Sequence, residues 1–467
     1  MITTNRTMMM NLLCCLVAFL CIVSISEAKS TTNVEVVRNI DATSAIVKMT
    51  TEIKLSDANK EYIYVLPNSQ AEHVAFLSVK AKGTKDPLKI MPAVQDDKGY
   101  THYAIALKDA KTTIKITVIL TDYLVNYPAQ ITQNENQLVK LHDSHYYYSV
   151  YPTESQKTTI KLASSSVESY TKKAPHTSKG STITYGPYKD IEPETASRAV
   201  VHYQNHKPFA KLTSVQTDIE VSHWGQVSVE EVHEMSHTGA ELVGGFSRFD
   251  YQMKRSGTSP SFRSIVAVLP GQAGDIFYRD QIGNISSSDM RVVDGEIELE
   301  LQPRFPMFGG WKSQFYIGYT VPTESMVTVD PESGRYSVKF DFYTVVEDVW
   351  VGDYEVKLVL PEGCRDIKVD LPYENTDMQW TTRYTYLDSR LNGGRPVLIL
   401  RGKNLVEELD SEVVVTYSFA KSRIYVEPFM LVFSFFAFFL FCSLLSRTGG
   451  IPKKNKAESI DDDKKTN

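Results

Sequence analysis

Hydrophobic and polar residues alternate through most of the chain between residues 34 and 418, which is the pattern of half-buried β-strands. The alternation is clearest in two stretches, 34–55 and 212–232, and each of them is typical of two strands joined by a turn. No segment before residue 424 shows a long helical period. Further strands are predicted at 113–120, 158–162, 296–301, 336–342, 354–360, 397–400 and 413–418.

The two hairpin-like stretches predict two domains, because each opens a new series of strands. Strands that close on Leu-Pro recur in both halves of the chain, at 66–67, 269–270 and 360–361. We therefore expect two tandem β-sandwich-like lumenal domains, at residues 29–205 and 206–424. The predicted fold class is mainly β, followed by one transmembrane α-helix.

The N-terminus has the features of a secretory signal peptide. Arg6 precedes an apolar run from Leu12 to Ile25, and small residues stand at positions 26 and 28. We expect residues 1–28 to be removed after Ala28; the alternative is a retained membrane anchor.

A second apolar run, from Phe429 to Leu445, contains 17 residues without a charge and would extend about 25 Å as a helix. A transmembrane helix is predicted at 425–446, and a buried core helix is the alternative. Basic residues in the following tail, 447–467, indicate that the tail is cytosolic. Together with a cleaved signal peptide, this predicts a single-pass type I protein whose bulk lies in a lumen.

The C-terminal end suggests which compartment this is. Lys464 and Lys465 stand at the fourth and third positions from the end, which matches a dilysine retrieval signal for the endoplasmic reticulum. Of the five cysteines, only Cys364 falls in the predicted lumenal part, so no lumenal disulfide can form within one chain. This disfavours a cell-surface adhesion module, which remains an alternative. Cys364 is interpreted as a buried, unreactive side chain.

Composition and charge exclude two classes of protein. At 42% hydrophobic and 23% charged residues, the chain is too apolar to be disordered throughout. It carries 50 Lys and Arg against 56 Asp and Glu, a formal net charge of −6. Without an excess of positive charge, nucleic acid is not an expected partner.

The sequence His233-Glu234-Met235-Ser236-His237 matches the H-E-x-x-H pattern of zinc proteases, in which two histidines one helical turn apart bind zinc. Here the pattern continues an alternating segment, and Gly239, Gly244 and Gly245 follow it, which disfavours a helix. On a strand, positions four apart lie about 13 Å from each other, too far to share a metal. We therefore predict a solvated hairpin strand, with no catalytic residue, metal or cofactor. A membrane-tethered zinc metalloprotease is the alternative.

Two further features are candidates for surface sites. Asn284 begins the sequon Asn-Ile-Ser, a candidate N-glycosylation site on a surface loop. Residues 303–312 place large apolar side chains among turn-forming residues, so this loop either plugs its own domain or contacts a partner or an acceptor chain. The candidate contact residues are Arg304, Phe305, Phe308 and Trp311.

Three consecutive tyrosines, 146–148, could stack on a sugar. Alternation along a strand would divide such a run between both faces of a sheet, so ordinary strand packing is the favoured interpretation.

The chain resembles the Ribophorin I family, and the resemblance runs from about residue 34 to 428. It rests on many short segments without a repeating pattern, which occur in the same order along this chain as in the family. The most specific ones are Pro303-Arg304-Phe305-Pro306 continuing through Phe308-Gly309-Gly310-Trp311-Lys312, Tyr384-Thr385-Tyr386-Leu387-Asp388, and Gly394-Arg395-Pro396-Val397.

The resemblance implies a non-catalytic subunit of the oligosaccharyltransferase complex of the endoplasmic reticulum membrane. In that family the chemistry belongs to a separate multi-spanning subunit, so the implied partners are that catalytic subunit, the other subunits and nascent polypeptide acceptors. Animal members carry a long cytosolic tail that has been linked to ribosome contact. This chain extends only about 22 residues beyond the span, which puts ribosome contact in doubt.

Overall fold

The computed structural model describes residues 31–56, 61–84, 86–107, 113–253, 260–285, 289–371, 373, 376–385, 388 and 393–448. The signal peptide predicted at 1–28 and the retrieval signal at Lys464 and Lys465 lie outside these residues. The described chain is mainly β and ends in one long apolar helix, which confirms the predicted fold class.

The strands fall into two consecutive groups. The N-terminal unit contains β1 (Asn33–Ala42), β2 (Val47–Leu55), β3 (Glu61–Pro67), β4 (Val74–Ala81), β5 (Val94–Gln95), β6 (Tyr100–Ala106), β7 (Thr113–Leu120), β8 (Val125–Asn126), β9 (Gln130–Ile131), β10 (Leu138–Ser144), β11 (Thr153–Leu162), β12 (Val167–Tyr170), β13 (His176–Lys179), β14 (Thr182–Ile191) and β15 (Arg198–Gln204).

The C-terminal unit contains β16 (Ala210–Val221), β17 (Gln226–His237), β18 (Glu241–Leu242), β19 (Ile265–Leu269), β20 (Gly274–Asp280), β21 (Asp289–Val293), β22 (Glu296–Leu301), β23 (Lys312–Pro322), β24 (Val327–Val329), β25 (Tyr336–Asp341), β26 (Trp350–Val359), β27 (Arg365–Asp370), β28 (Asp377–Arg383), β29 (Arg395–Leu405) and β30 (Glu412–Ser418).

In the part of the chain that the structure describes, the helices are few and, with one exception, short. They are α1 (Asn68–Ala71), α2 (Arg248–Met253), α3 (Thr323–Met326) and α4 (Val426–Thr448), with 3₁₀ turns at Glu407–Leu409 and Lys421–Tyr425. At 1.5 Å per residue, the 23 residues of α4 extend about 35 Å, long enough to cross a bilayer. None of its most apolar 18-residue window is buried against the β units. This supports the predicted single transmembrane span.

The predicted alternation produces the strands directly. In β2, residues at every second position are buried, and the intervening residues are exposed or half-buried. The stretches 34–55 and 212–232 form the antiparallel pairs β1–β2 and β16–β17. The predicted strand limits at 113–120 and 296–301 coincide with β7 and β22.

The two units share one strand topology. A seven-stranded sheet in the N-terminal unit has the order β13-β14-β11-β1-β2-β7-β4, and its counterpart in the C-terminal unit has the order β28-β29-β26-β16-β17-β23-β20. In both sheets the first strand of the opening hairpin pairs in parallel with a later strand, β11 or β26. The smaller sheets also correspond, β12-β15-β10-β8 to β27-β30-β25-β24 and β3-β6-β5 to β19-β22-β21. In both units, corresponding strands occur in the same order along the chain.

Each unit has its own hydrophobic core. Buried side chains from the large and small sheets form one cluster between Val36 and Phe209 and a second between Ala210 and Tyr417. The faces of the sheets therefore pack on each other inside each unit, as expected for a sandwich-like arrangement. The boundary near residues 205 and 206 remains a proposal, which the repeated strand order supports.

The units also contact each other through strands that have no counterpart in the repeat. β9 and β18 pair in parallel as a two-stranded sheet that joins the two units. A small apolar cluster of Ile119, Trp350 and Val406 lies at the junction. Nearby, Thr121 Oγ1 donates a hydrogen bond of 2.7 Å to Asn404 Oδ1.

Candidate functional site

The H-E-x-x-H segment lies on β17, in the interior of the seven-stranded sheet between β16 and β23. His233 and His237 are buried on one face of the sheet, while Glu234 is exposed on the other. The prediction of a strand is confirmed, but the strand is not a solvated one. Because the sheet separates Glu234 from both histidines, the three side chains do not form the zinc-protease arrangement.

Each histidine is held by its own neighbours. Nε2 of His233 lies 3.0 Å from Glu231 Oε2, and the hydroxyl of Thr344 donates to the same oxygen at 2.9 Å. The His233 ring stacks on Phe315 with a centroid distance of 4.7 Å. Glu231 is only 2% exposed, so this carboxylate is stabilised by hydrogen bonds from the surrounding donors rather than by water.

His237 is in a more apolar environment. Its ring stacks on Phe262 at 5.3 Å, and Nδ1 accepts a hydrogen bond of 2.9 Å from the Gly239 N–H. Burial lowers the pKa of His237 from 6.5 to about 4. At neutral pH the ring is therefore neutral and acts as a structural acceptor. No group of three or more His, Cys, Asp or Glu side chains suited to a metal occurs in the part of the chain that the structure describes.

The candidate glycosylation site lies on a turn that several hydrogen bonds hold in place. Asn284 is exposed and follows β20, and Asp280 closes the turn by accepting hydrogen bonds from the N–H groups of Ile282 and Gly283. Arg304 forms a bidentate ion pair with Asp280 and also donates to the carbonyls of Gly283 and Asn284, at 3.0 and 3.2 Å. The hydrogen bonds from Arg304 lower the pKa of Asp280 to about 2. Ser286 of the sequon lies outside the described residues.

The loop at residues 303–312, the aromatic loop, is divided between a buried and an exposed part. Phe308 is 1% exposed and contacts Phe246, Tyr251 and Trp311 at centroid distances of 5.4–5.9 Å. Phe305 is 43% exposed and contacts the edge of Trp311. Phe308 therefore packs inside the C-terminal unit, and Arg304 stabilises the turn that carries the sequon. Among the four candidate residues, Arg304 and Phe305 are exposed and Trp311 is half-buried, so these three are available to a partner.

The backbone of this loop lies against the junction of the units. Gly309 forms a bridge with Glu241 of β18, and its carbonyl accepts a hydrogen bond from Leu242. A Cβ atom at position 309 would stand 1.9 Å from the carbonyl oxygen of Ala240, so only glycine permits this approach. The aromatic loop is thus attached to the small sheet that joins the two units.

The three tyrosines at 146–148 do not lie on a strand, in contrast to the predicted strand packing. β10 ends at Ser144, and the tyrosines occupy the irregular segment that follows. The alternation that would have divided them between two faces therefore does not apply. Tyr147 is buried, and Tyr146 and Tyr148 are half-buried.

A charge network that the sequence analysis did not identify holds the membrane helix to the C-terminal unit. Arg395 of β29 pairs with Glu220 at 2.9 Å, with Asp388 at 3.0 Å and with Glu427, in the first turn of α4, at 3.6 Å. Arg395 and Asp388 lie in two of the segments that carry the family resemblance, but Glu220 and Glu427 come from distant parts of the chain, so spacing in the sequence provided no signal for the network.

Cys364 is half-buried, and burial raises the pKa of its thiol to about 12, which agrees with an unreactive cysteine.

Two solved structures are distantly similar to the chain. An M1 zinc metallopeptidase from Deinococcus radiodurans has a TM-score of 0.25 at 10% identity, over 45% of this chain and 42% of that one. Yeast LTA4 hydrolase has a TM-score of 0.26 at 9% identity, over 38% and 29% of the two chains. Likenesses of this size support no statement about function.

Sequence comparison is far more specific. The sequence model of Ribophorin I matches residues 31–446. Subunit 1 of the dolichyl-diphosphooligosaccharide–protein glycosyltransferase of Caenorhabditis elegans is 37% identical over 445 residues, covering 92% of this chain and 74% of that protein. Subunit 1B from Arabidopsis thaliana is 36% identical over 441 residues, covering 90% and 94%. Because these matches span both β units and the apolar helix, the chain belongs to the Ribophorin I family.

Proposed function

We propose that the chain is a non-catalytic subunit of the oligosaccharyltransferase complex of the endoplasmic reticulum membrane. This complex transfers a preassembled glycan from dolichyl diphosphate to the asparagine of N-x-S/T sequons in nascent proteins. The proposal rests on the family match over residues 31–446 and on relatives that are named as subunit 1 of the glycosyltransferase. The chain would serve as a scaffold and a substrate-handling surface for a separate catalytic subunit.

The H-E-x-x-H segment favours a non-catalytic role over a zinc protease. Its histidines are engaged in ring stacks and hydrogen bonds inside the sheet, and Glu234 faces the other way. Metal analysis of the purified full-length chain tests this interpretation. We expect no stoichiometric zinc; one zinc per chain, lost when His233 and His237 are both replaced, would contradict it.

The proposed topology places both β units in the lumen and α4 in the membrane. In this arrangement residues 1–28 are removed, the tail at 447–467 is cytosolic, and Lys464 and Lys465 retrieve the protein to the endoplasmic reticulum. The exposed turn at Asn284 is then in the compartment where N-glycans are added. Glycosidase digestion of microsomal protein should shift its electrophoretic mobility, and Asn284→Gln should remove the shift.

We further propose that the aromatic loop contributes a contact to a partner subunit or an acceptor chain, mainly through Phe305. A phenylalanine that is 43% exposed beside a rigid ion pair is a suitable anchor for such a contact. Trp311, whose ring contacts both Phe305 and Phe308, would support this anchor, and Arg304 would hold the adjacent backbone through its ion pair with Asp280.

Purification of the tagged chain from microsomes in mild detergent, followed by mass spectrometry, tests both proposals. We expect the multi-spanning catalytic subunit in near-equal amount with the wild-type chain, and clearly less of it with Phe305→Ala. Trp380→Ala is a matched control, because Trp380 is 44% exposed on the edge strand β28, at the far side of the sheet. A wild-type chain that emerges alone would contradict the assembly role, and equal losses from both variants would contradict the role of Phe305.

A further inference from the structure

The N-terminal unit contains a cleft of about 290 Å³ that no proposal above uses. Five tyrosines line it, and they include the complete run at 146–148 together with Tyr64 and Tyr123. Arg38 and Asp143 also line it. The cleft therefore combines aromatic rings with a pair of opposite charges, outside the unit that holds the H-E-x-x-H segment and the sequon.

The tyrosines converge because the chain leaves the sheet at the end of β10. The Tyr147 N–H donates to the side chain of Gln156 at 2.8 Å, and the Tyr146 N–H donates to Ser144 Oγ at 3.3 Å. Tyr148 stacks on Tyr100, with a centroid distance of 4.0 Å and an angle of 7° between the rings. These contacts hold the irregular segment in one conformation, so the cleft is pre-formed.

The charged pair in the cleft is itself fixed. Arg38 Nη2 lies 3.1 Å from both carboxylate oxygens of Asp143, and the side chains of Arg38 and Asp143 are only 7% and 5% exposed. Arg38 also donates to the Ser144 carbonyl, and Gln70 donates to Asp143 at 3.2 Å. A buried ion pair in this setting presents donors and acceptors at defined positions, and its two charges compensate each other.

This combination selects the chemical class of ligand. A pyranose ring carries C–H groups on its faces, which pack on aromatic rings, and hydroxyls at its edge, which both donate and accept hydrogen bonds. A volume of about 290 Å³ is at the lower end of ligand sites, so it fits one sugar ring rather than an extended chain. The buried pair is neutral overall, and Arg198, the other charged side chain in the lining, is exposed to solvent, which screens its charge; the buried part of the cleft therefore favours a neutral ligand over an ion.

A peptide fits the cleft less well. Peptides commonly bind by pairing their backbone with unpaired backbone groups of a strand. Here the Ser144 carbonyl is bonded to Arg38 and the Tyr147 N–H to Gln156, so these backbone groups are already engaged. We propose that the cleft formed by Tyr64, Tyr146–Tyr148, Arg38 and Asp143 binds a neutral saccharide through one pyranose ring. This inference is independent of the proposed assembly role, because the cleft lies within a single unit.

Saturation-transfer difference NMR with the full-length chain in lipid nanodiscs tests the proposal. Nanodiscs avoid alkyl-glycoside detergents, which would themselves present a sugar. The probes are methyl α-D-mannopyranoside, methyl β-D-glucopyranoside and N-acetylglucosamine, with empty nanodiscs as the blank. We expect ring-proton signals for at least one probe, and binding about tenfold weaker with Tyr148→Leu, as the loss of one aromatic contact implies.

Tyr170→Leu is the matched control, since Tyr170 is also half-buried and also contacts a second ring, that of His176, but lies outside the cleft. If Tyr148→Leu does not fold, Arg198→Ala replaces it, because Arg198 is exposed and lines the cleft. The absence of signal from all three sugars, or equal binding by the cleft and control variants, would overturn the proposal. So would binding of an Ala-Ser-Ala peptide amide that depends on Tyr148 while no sugar binds.

Discussion

At the residue scale, polar side chains that suggest chemistry in the sequence have structural roles in the fold. His237 is neutral and accepts a backbone hydrogen bond, and Arg304 braces the turn that carries Asn284. In both cases the side chain satisfies backbone groups that would otherwise be unpaired. Their effects should therefore appear in stability and local order rather than in turnover.

His237 makes stability depend on pH with a defined sign. Its folded-state pKa of about 4 lies below the ordinary value of 6.5, so the unfolded chain binds the proton first as the pH falls. The stabilisation is complete above pH 6.5 and is lost as the pH falls toward 4, by about 3 kcal/mol in total. Melting temperatures measured between these pH values should decline less steeply for His237→Phe, whereas His176→Phe should keep the wild-type slope. Equal slopes in all three proteins would contradict the assignment.

Arg304 should control the order of the sequon turn. Arg304→Lys loses the bidentate geometry toward Asp280 and the hydrogen bonds to two carbonyls. We expect this to cost about 1.4 kcal/mol of local stability. The amides of residues 282–285 should therefore exchange with deuterium about tenfold faster. The control is Arg279→Lys, since Arg279 pairs with Glu230 on the exposed surface nearby. Hydrogen exchange detected by mass spectrometry measures the difference. An unchanged exchange rate in Arg304→Lys would show that Asp280 alone holds the turn.

At the element scale, β17 shows how a strand separates adjacent side chains into different environments. Glu230 is partly exposed and pairs with Arg279, whereas Glu231 is buried with His233 and Thr344. The period of two residues produces this contrast between neighbours with the same side chain. It also explains why H-E-x-x-H does not form a metal site here.

These two glutamates provide an internal comparison. Glu231→Ala removes the carboxylate that accepts from Thr344 and lies beside His233 Nε2, so this buried network keeps only the contact between His233 and Thr344, and we expect the C-terminal unit to lose about 3 kcal/mol of stability. Glu230→Ala removes only an exposed ion pair and should cost less than about 1 kcal/mol. Denaturant unfolding of the two variants measures both values. Similar losses would mean that the buried network contributes little.

At the scale of the whole molecule, two units with the same strand order are joined by the β9–β18 pair, which the repeat does not contain, and by side chains of the repeated strands. The β9–β18 pair and the aromatic loop that continues it lie at the junction. Trp350 packs there with Ile119 and Val406, and Asn404 adopts a positive φ of 52° beside Thr121. These contacts should make the units unfold together.

Removing the junction contacts should separate the unfolding of the two units. Trp350→Ala combined with Asn404→Gly deletes the apolar contact and the hydrogen bond between the units. Glycine is chosen at position 404 because it retains the positive φ. We expect the coupling free energy between the two units to fall by about 4 kcal/mol. Calorimetry should then resolve two transitions. Trp380→Ala is the control, because Trp380 lies on the exposed edge strand β28. A single transition in the double variant would contradict this account of the junction.

The sequence by itself determined the class of fold, the positions of several of the long strands and the apolar helix near the C-terminus. Alternation and long apolar runs are local patterns, so the predicted limits of β7 and β22 agree with the structure. The family resemblance also came from the sequence alone, and the match over 31–446 confirms it.

Only the tertiary structure decided what surrounds each side chain. These surroundings are formed by residues that are distant in the chain. Examples are the burial of His233, the hydrogen bonds from Arg304 to the sequon turn, and the ion pair between Arg395 and α4. The tyrosine run was assigned to a strand because alternation cannot show where a strand ends, and its convergence on one cleft depends on the bend after Ser144. Contacts of this kind arise from the packing of sheets on each other, for which a single sequence carries no periodic signal.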